Sequence, residues 1–246
     1  MKRITSPSHP LIKHLLKLRK ERSYREEKNS LLLIGNKIVE EVMEKGAKVK
    51  NLIICENFPS SFTGVEPIFV TLDIMKKITG LASPEELALE IMLPEKRNLK
   101  KEKYLLVLDK LQDPGNLGTL IRAAHGLNWD GIVITEDTVD PYNDKALRAA
   151  KGSTFSLPIF FISTEELEKL IIEKKYTPFL ADLNGKRPEE ISCAPPLMLI
   201  LSNESKGPAR WTKIIKNKIT IPMRKDIDSL NVAVSGAILL YLMGPR

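Results

Sequence analysis

Two cysteines and three histidines are all that this 246-residue chain offers in thiol and imidazole chemistry. Cys55 and Cys193 are far apart and match no CxxC spacing, so no disulfide framework or thiolate metal site follows, and two free thiols in a reducing compartment are expected. His9, His14 and His125 all fall outside the loops that carry polar motifs, which argues against a histidine general base; His125, on an apolar helix, reads as a packing residue. No metal is expected. Lys13 and Lys17 interrupt LIKHLLKL, so no apolar signal core follows Lys2 and Arg3. The most apolar run, Val232 to Met243, falls short of the roughly 20 residues that a membrane span needs. A cytoplasmic protein without membrane contact is the expectation. GxGxxG and GxxxxGK[ST] are both missing, which removes the signatures of the commonest phosphate-bearing ligands of α/β sheets. There is no internal repeat or low-complexity tract.

What is present is positive charge, unevenly placed. Lys and Arg number 38 against 31 Asp and Glu, a net charge of +7. Residues 1–30 hold nine Lys or Arg and three Glu, and residues 95–103 hold five and two, so these two segments carry +6 and +3 and the rest sums to −2. Concentrated charge of this kind fits a polyanionic partner such as RNA as well as it fits a solvated face. The segment Pro10 to Arg25 sets Leu11, Leu15 and Leu18 at helical spacing between basic residues, which predicts one amphipathic basic helix.

Beyond it, short apolar runs at Leu31–Ile34, Asn51–Cys55, Pro67–Leu72 and Leu87–Leu93 alternate with helical patterns at Lys37–Lys45 and from Asp73. This predicts a small α/β domain over residues 1–93. Pro94 and EKRNLKKEK break the periodicity and read as a charged linker, 94–103. From Tyr104 to Arg246 continuous apolar strands alternate with helices. Strands are expected at Tyr104–Leu108, Gly131–Thr135, Leu157–Ile162, Tyr176–Ala181, Leu197–Leu201 and Ile219–Pro222. Helices are expected at Thr119–Leu127, Asp144–Ala150, Glu165–Lys174, Pro208–Ile215 and Ser229–Met243, with Ser163 and Glu166 forming a capping box. The fold class is α/β, a mostly parallel sheet with helices on both faces.

Such a sheet binds ligands at the C-terminal ends of its strands, and three loops there carry polar residues. DPGNLGTLIRAA reads as a tight turn at Pro114 and Gly115 followed by a helix, with Asn116 at its start and Arg122 about two turns in. LILSNESKGP opens a buried strand into a polar turn with Glu204, whose carboxylate suits a guanidinium. IPMRKDIDSLNVAVSGAILLY leads to Ser229 and Asn231, read as capping an apolar helix with the small residues Ala233, Ser235, Gly236 and Ala237. Each motif alone is equally an N-cap, a polar strand end or a close-packed helix.

In this order and position, the three motifs resemble those of the SpoU-type RNA ribose 2′-O-methyltransferases of the SPOUT class. The resemblance covers about residues 104–243 strongly, and the amino-terminal part more loosely resembles an L30e-like substrate-binding domain. It implies a deep trefoil knot at the carboxyl end, S-adenosylmethionine as cofactor, a homodimer whose site lies near the interface, and RNA as substrate, ribosomal RNA ahead of tRNA. Asn116, Arg122, Glu204, Ser229 and Asn231 are the implied catalytic residues, with Leu201, Ser202, Ile221, Met223 and Leu230 around the cofactor. Arginine stays protonated, so Arg122 is expected to orient the 2′-oxygen and stabilise its developing charge while Glu204 fixes the guanidinium. Asn116 would hold the acceptor loop, and Ser229 and Asn231 would position the ribose or the loop. Ser202 and Lys225 stand where the family usually has Gly, and SPEELALEIML lacks the family's Gln-Gly. Ser202 and Lys225 leave an alternative, an RNA-binding ribosome assembly factor that keeps the fold without methyl transfer. A metabolic α/β enzyme is a third reading, one that gives the basic amino-terminal segment no task.

Overall fold

The computed structural model describes residues 2–56, 58, 64–173, 175–202, 210–224 and 226–245. Two compact units divide the chain: Met1–Glu95 with Tyr142–Arg148, and Lys96–Pro141 with Ala149–Arg246.

The first unit holds a five-stranded mixed sheet. Its strands are β1 (Lys2–Ile4), β2 (Ser30–Ile34), β3 (Val49–Cys55), β4 (Pro67–Val70) and β5 (Leu87–Met92), in the order β1-β4-β3-β5-β2. Strands β1, β4 and β3 run parallel, and β5 is antiparallel to β3 and β2. The single basic helix expected over residues 10–25 is two helices, α1 (Pro10–Lys20) and α2 (Arg22–Lys28), broken at Glu21 in an extended conformation. No proline or glycine causes the break. Arg25, from α2, is buried and donates through Nη1 to the carbonyls of Leu18 and Arg19, satisfying acceptors that the end of α1 leaves open. Ile12, Leu15 and Leu18 are fully buried with Ile53, Ile74 and Ile78, and each contributes about 1.5–3 kcal/mol by leaving water. The basic segment is therefore part of the core on one face, with Lys13, Lys17 and Lys20 exposed on the other. Helices α3 (Asn36–Glu44) and α4 (Leu72–Thr79) complete the unit.

The second unit is a six-stranded sheet, every described pairing parallel. Its strands are β6 (Tyr104–Asp109), β7 (Gly131–Ile134), β8 (Ile159–Phe161), β9 (Thr177–Lys186), β10 (Leu197–Ser202) and β11 (Lys218–Ile219), in the order β11-β9-β10-β6-β7-β8. The helices are α5 (Pro114–Gly126), α6 (Asp144–Ala150), whose residues through Arg148 belong to the first unit, α7 (Thr164–Ile172), α8 (Trp211–Ile214) and α9 (Val232–Met243). The capping box at Ser163 and Glu166 is present. From β6 the chain moves outward through β7 and β8, then returns to build β9, β10 and β11 on the other side. The order thus switches between β6 and β10, the position at which open α/β sheets hold their ligands.

Three expectations in this unit need correction. Asp-Pro-Gly-Asn is the first turn of α5 rather than a separate turn: Asp113 is the N-cap, accepting from the Asn116 amide at 2.8 Å, and Pro114 takes the first helical position. Asn231 alone caps α9, accepting from the amides of Ala233 and Val234 at 2.9 and 3.3 Å, and Ser229 lies outside the cap. The last strand stops at Ile219 instead of Pro222, its pairing with β9 broken by a register shift between Lys218 and Ile219. In addition β9 runs past Ala181 to Lys186, where Thr220 donates its amide to the Lys186 carbonyl. Helix α8 starts at Trp211, and the earlier part of its expected span lies outside the described residues.

Candidate active site

The ends of β6 and β10 face each other in register, Asp109 opposite Ser202. Asp109 is only 5% exposed and meets three donors: Thr135 Oγ1 to Oδ1 at 2.8 Å, Trp211 Nε1 to Oδ2 at 2.7 Å, and, more weakly, Ser202 Oγ to Oδ2 at 3.4 Å. An indole N–H can only donate, so the buried carboxylate acts as an acceptor that ties the end of β6 to those of β7 and β10. Thr135 also accepts from the Lys110 amide at 3.3 Å, and Gln112 donates to the carbonyls of Lys110 and Asp137 at 3.2 and 2.8 Å. The loop before α5 is fixed in this way.

Beside this frame lies a cavity of about 300 Å³, at the lower end of the range of small-molecule sites. The structure places Leu201, Ser202, Ile221, Met223, Ser229 and Leu230 in its wall. Asp182 and Asn184 of β9 form a second side, and Val232, Ser235 and Leu239 of α9 a third. Apolar side chains and hydroxyls together suit a flat heterocycle joined to a sugar. Ser202 is absent from the residues with positive φ, so its side chain carries no backbone strain. Asp182 was invisible as a site residue in the strand and loop pattern, yet it directly follows the expected strand Tyr176–Ala181, and a polar residue at a parallel strand's end is the signal that would have found it.

Asn116 and Asn231 meet: Nδ2 of Asn231 donates to Oδ1 of Asn116 at 3.1 Å, joining the first turns of α5 and α9. Gly236 makes the approach of α9 possible, because a Cβ there would stand 2.3 Å from Leu120 of α5 and 2.6 Å from Leu201 of β10. The structure does not bring Arg122 to this pair. It is exposed on α5, outside the cavity wall, and makes no hydrogen bond or ion pair with another described residue. Glu204 and Lys225 lie outside the described residues. His125, expected to pack, is exposed, with Nδ1 3.1 Å from the Ser153 hydroxyl. Among the described residues no group of three His, Cys, Asp or Glu side chains is placed to hold a metal ion, and no helix is long and apolar enough to cross a membrane.

A parallel sheet with a cavity over the ends of β9 and β10, walled by the loop after β11 and a capped C-terminal helix, is the architecture of SPOUT methyltransferase structures. The chain belongs to the SpoU rRNA Methylase family, whose model matches residues 103–241, and an MRM3-like substrate binding domain is matched over residues 9–88. It is 32% identical over 246 residues to the 23S rRNA (guanosine(2553)-2′-O)-methyltransferase RlmP of Bacillus subtilis, covering 98% of each chain. With the 23S rRNA (uridine(2479)-2′-O)-methyltransferase of Streptomyces viridochromogenes it shares 30% identity over 57% of this chain and 52% of the relative. The AdoMet-bound rRNA methyltransferase from Sinorhizobium meliloti superposes with a TM-score of 0.87 at 26% identity, covering 98% of this chain and 97% of that one.

Proposed function

We propose that the protein transfers a methyl group from S-adenosylmethionine to a ribose 2′-hydroxyl of ribosomal RNA, in the cytoplasm, where that RNA is found. The observation that carries the reading is the joint placement of Leu201, Ser202, Ile221, Met223 and Leu230 around one cavity beside the Asn116–Asn231 pair. The cavity fits the cofactor: Leu201, Ile221 and Leu230 offer apolar surface to adenine, and the hydroxyls of Ser202, Ser229 and Ser235 and the carboxylate of Asp182 offer partners to its polar groups.

S-adenosylmethionine supplies an electrophilic methyl on a sulfonium, so the chain's task is to align the acceptor oxygen and stabilise the charge it gains. Arg122, always protonated, is assigned to the 2′-oxygen, and Glu204 to the guanidinium. Asn116 and Asn231 hold the two helix starts at a fixed separation, and Ser229 is assigned to the ribose. Residues 1–93 are assigned to RNA binding, 94–103 to a linker and 104–246 to catalysis.

An exposed face of α9 supports a homodimer. Val234, Ile238 and Tyr241 form an exposed apolar stripe on α9, at i, i+4 and i+7, and Tyr241 is 73% exposed. A second copy seated on the α5 and α9 faces covers the stripe and brings Arg122 to a site its own chain does not complete. The match to the SpoU rRNA Methylase family supports a trefoil knot as the path of the carboxyl-terminal segment. The test is incubation of unmodified ribosomal RNA with methyl-labelled S-adenosylmethionine. Label recovered in alkali-resistant dinucleotides is expected, and label confined to bases or absent refutes the proposal.

A further inference from the structure

We infer that Asp182 is a cofactor-binding residue whose carboxylate holds the ribose diol of S-adenosylmethionine; the inference rests on the cofactor reading of the cavity. Asp182 lines that cavity, and its side chain is only 11% exposed. Each oxygen already has one internal partner. Oδ1 accepts from the Asn184 amide at 2.9 Å, and Oδ2 lies 3.1 Å from Nζ of Lys218. A carboxylate accepts about four hydrogen bonds, two on each oxygen. One free acceptor position therefore remains on each oxygen, the arrangement that two adjacent hydroxyls satisfy together.

The carboxylate is also held still. The Leu180 amide donates to the Asn217 carbonyl at 2.9 Å, the Thr220 hydroxyl to the Leu183 carbonyl at 3.2 Å and the Thr220 amide to the Lys186 carbonyl at 2.9 Å, clamping β9 on both sides of Asp182. Rigid acceptors lose little freedom when a ligand binds.

The cofactor carries four groups that a carboxylate can recognise: the ribose diol, the adenine amino group, the ammonium of its amino-acid end, and the sulfonium. One free position on each of two oxygens suits two adjacent hydroxyls better than a single amino nitrogen, and Lys218 sets the two cations aside. Its ammonium cancels the Asp182 charge at contact distance, so the pair offers hydrogen-bond acceptors without a net negative field, which suits neutral hydroxyls better than a cation.

Four ligands separate the possibilities by calorimetric titration of the full-length protein: S-adenosylmethionine, S-adenosylhomocysteine, 5′-methylthioadenosine and its 2′-deoxy analogue. The homologous thioether lacks the sulfonium charge, and methylthioadenosine lacks the amino-acid end as well, but both keep the diol. In Asp182→Asn the first three are expected to weaken by the same factor, about tenfold, from loss of one charged acceptor. The 2′-deoxy analogue should bind the native protein about tenfold more weakly than methylthioadenosine, a penalty that shrinks in the variant. Loss confined to the two ligands with an amino-acid end, or to the sulfonium alone, overturns the diol assignment, as does no loss. If Asp182→Asn does not fold, the deoxy comparison on the native protein decides, and equal affinity there overturns the assignment. A native protein that binds none of the first three ligands refutes the cofactor reading itself, a result distinct from failure of Asp182.

Discussion

Asn231 performs two separable tasks, and substitution can divide them. Its Oδ1 accepts from two amides at the start of α9, and its Nδ2 donates to Asn116 across to α5. Asn231→Ala removes both. The lost cap costs about 1 kcal/mol, and the side-chain bridge, being exposed, adds about 0.5 kcal/mol from the low end of the range for neutral pairs. A total near 1.5 kcal/mol is expected. Asn231→Ser keeps a cap of equal quality but is too short to reach Asn116, so it should lose only about 0.5 kcal/mol. Urea unfolding followed by tryptophan fluorescence measures this in the right place, because the chain's two tryptophans, Trp129 and Trp211, are both buried in the second unit. Methyl transfer should fall in both variants, since both lose the bridge between the helix starts. If Asn231→Ser destabilises as much as Asn231→Ala, the cap is not the source of the stability. If it transfers methyl at the native rate, the bridge has no part in aligning the site.

Arg122→Ala should leave cofactor affinity and stability unchanged and lower methyl transfer by at least ~100-fold, the scale of losing one positioned donor; transfer within threefold of native removes Arg122 from the mechanism. Exchanging Lys13, Lys17 and Lys20 for Gln retains the buried face of α1, and the slope of log K for RNA against log salt should flatten by roughly 0.7 to 0.9 per lost phosphate contact; an unchanged slope frees this face from RNA. Gly236→Val forces side chains into Leu120 and Leu201, both fully packed, and should cost about 2–3 kcal/mol by urea unfolding, where a loss under about 0.5 kcal/mol would show that α9 is not closely seated. Ser202→Val should weaken S-adenosylmethionine binding with RNA affinity retained, while Ser202→Gly stays within tenfold of native; calorimetry showing Ser202→Val at native affinity places the cofactor elsewhere.

The parallel sheet was legible because strands buried on both faces are continuous apolar runs, such as Leu105–Leu108 and Leu197–Leu201. The ends of elements were less so, since they depend on contacts that a local pattern does not contain. Glu21 interrupts a good helical pattern because Arg25 folds back onto the carbonyls of Leu18 and Arg19. Pro-Gly after Asp113 has the chemistry of a turn and equally that of a capped first helical turn, and only the amide of Asn116 on Asp113 distinguishes them. The residues at the cavity were marked by their loops at strand ends. Asp109 and Asp182 were hidden, each directly following the expected end of its strand, at Leu108 and at Ala181. Arg122 was legible as a residue, but no sequence pattern shows that it stands outside the wall of its own chain's cavity.

The proposed reaction leaves a chemical trace in RNA, and mapping of ribose 2′-O-methyl groups in total RNA from cells with and without the gene reads it most directly. One ribosomal RNA position that loses its methyl group without the gene, regains it with the native protein and stays bare with Arg122→Ala is the predicted result. Identical maps in all three strains would contradict the assignment of this chain as an RNA 2′-O-methyltransferase.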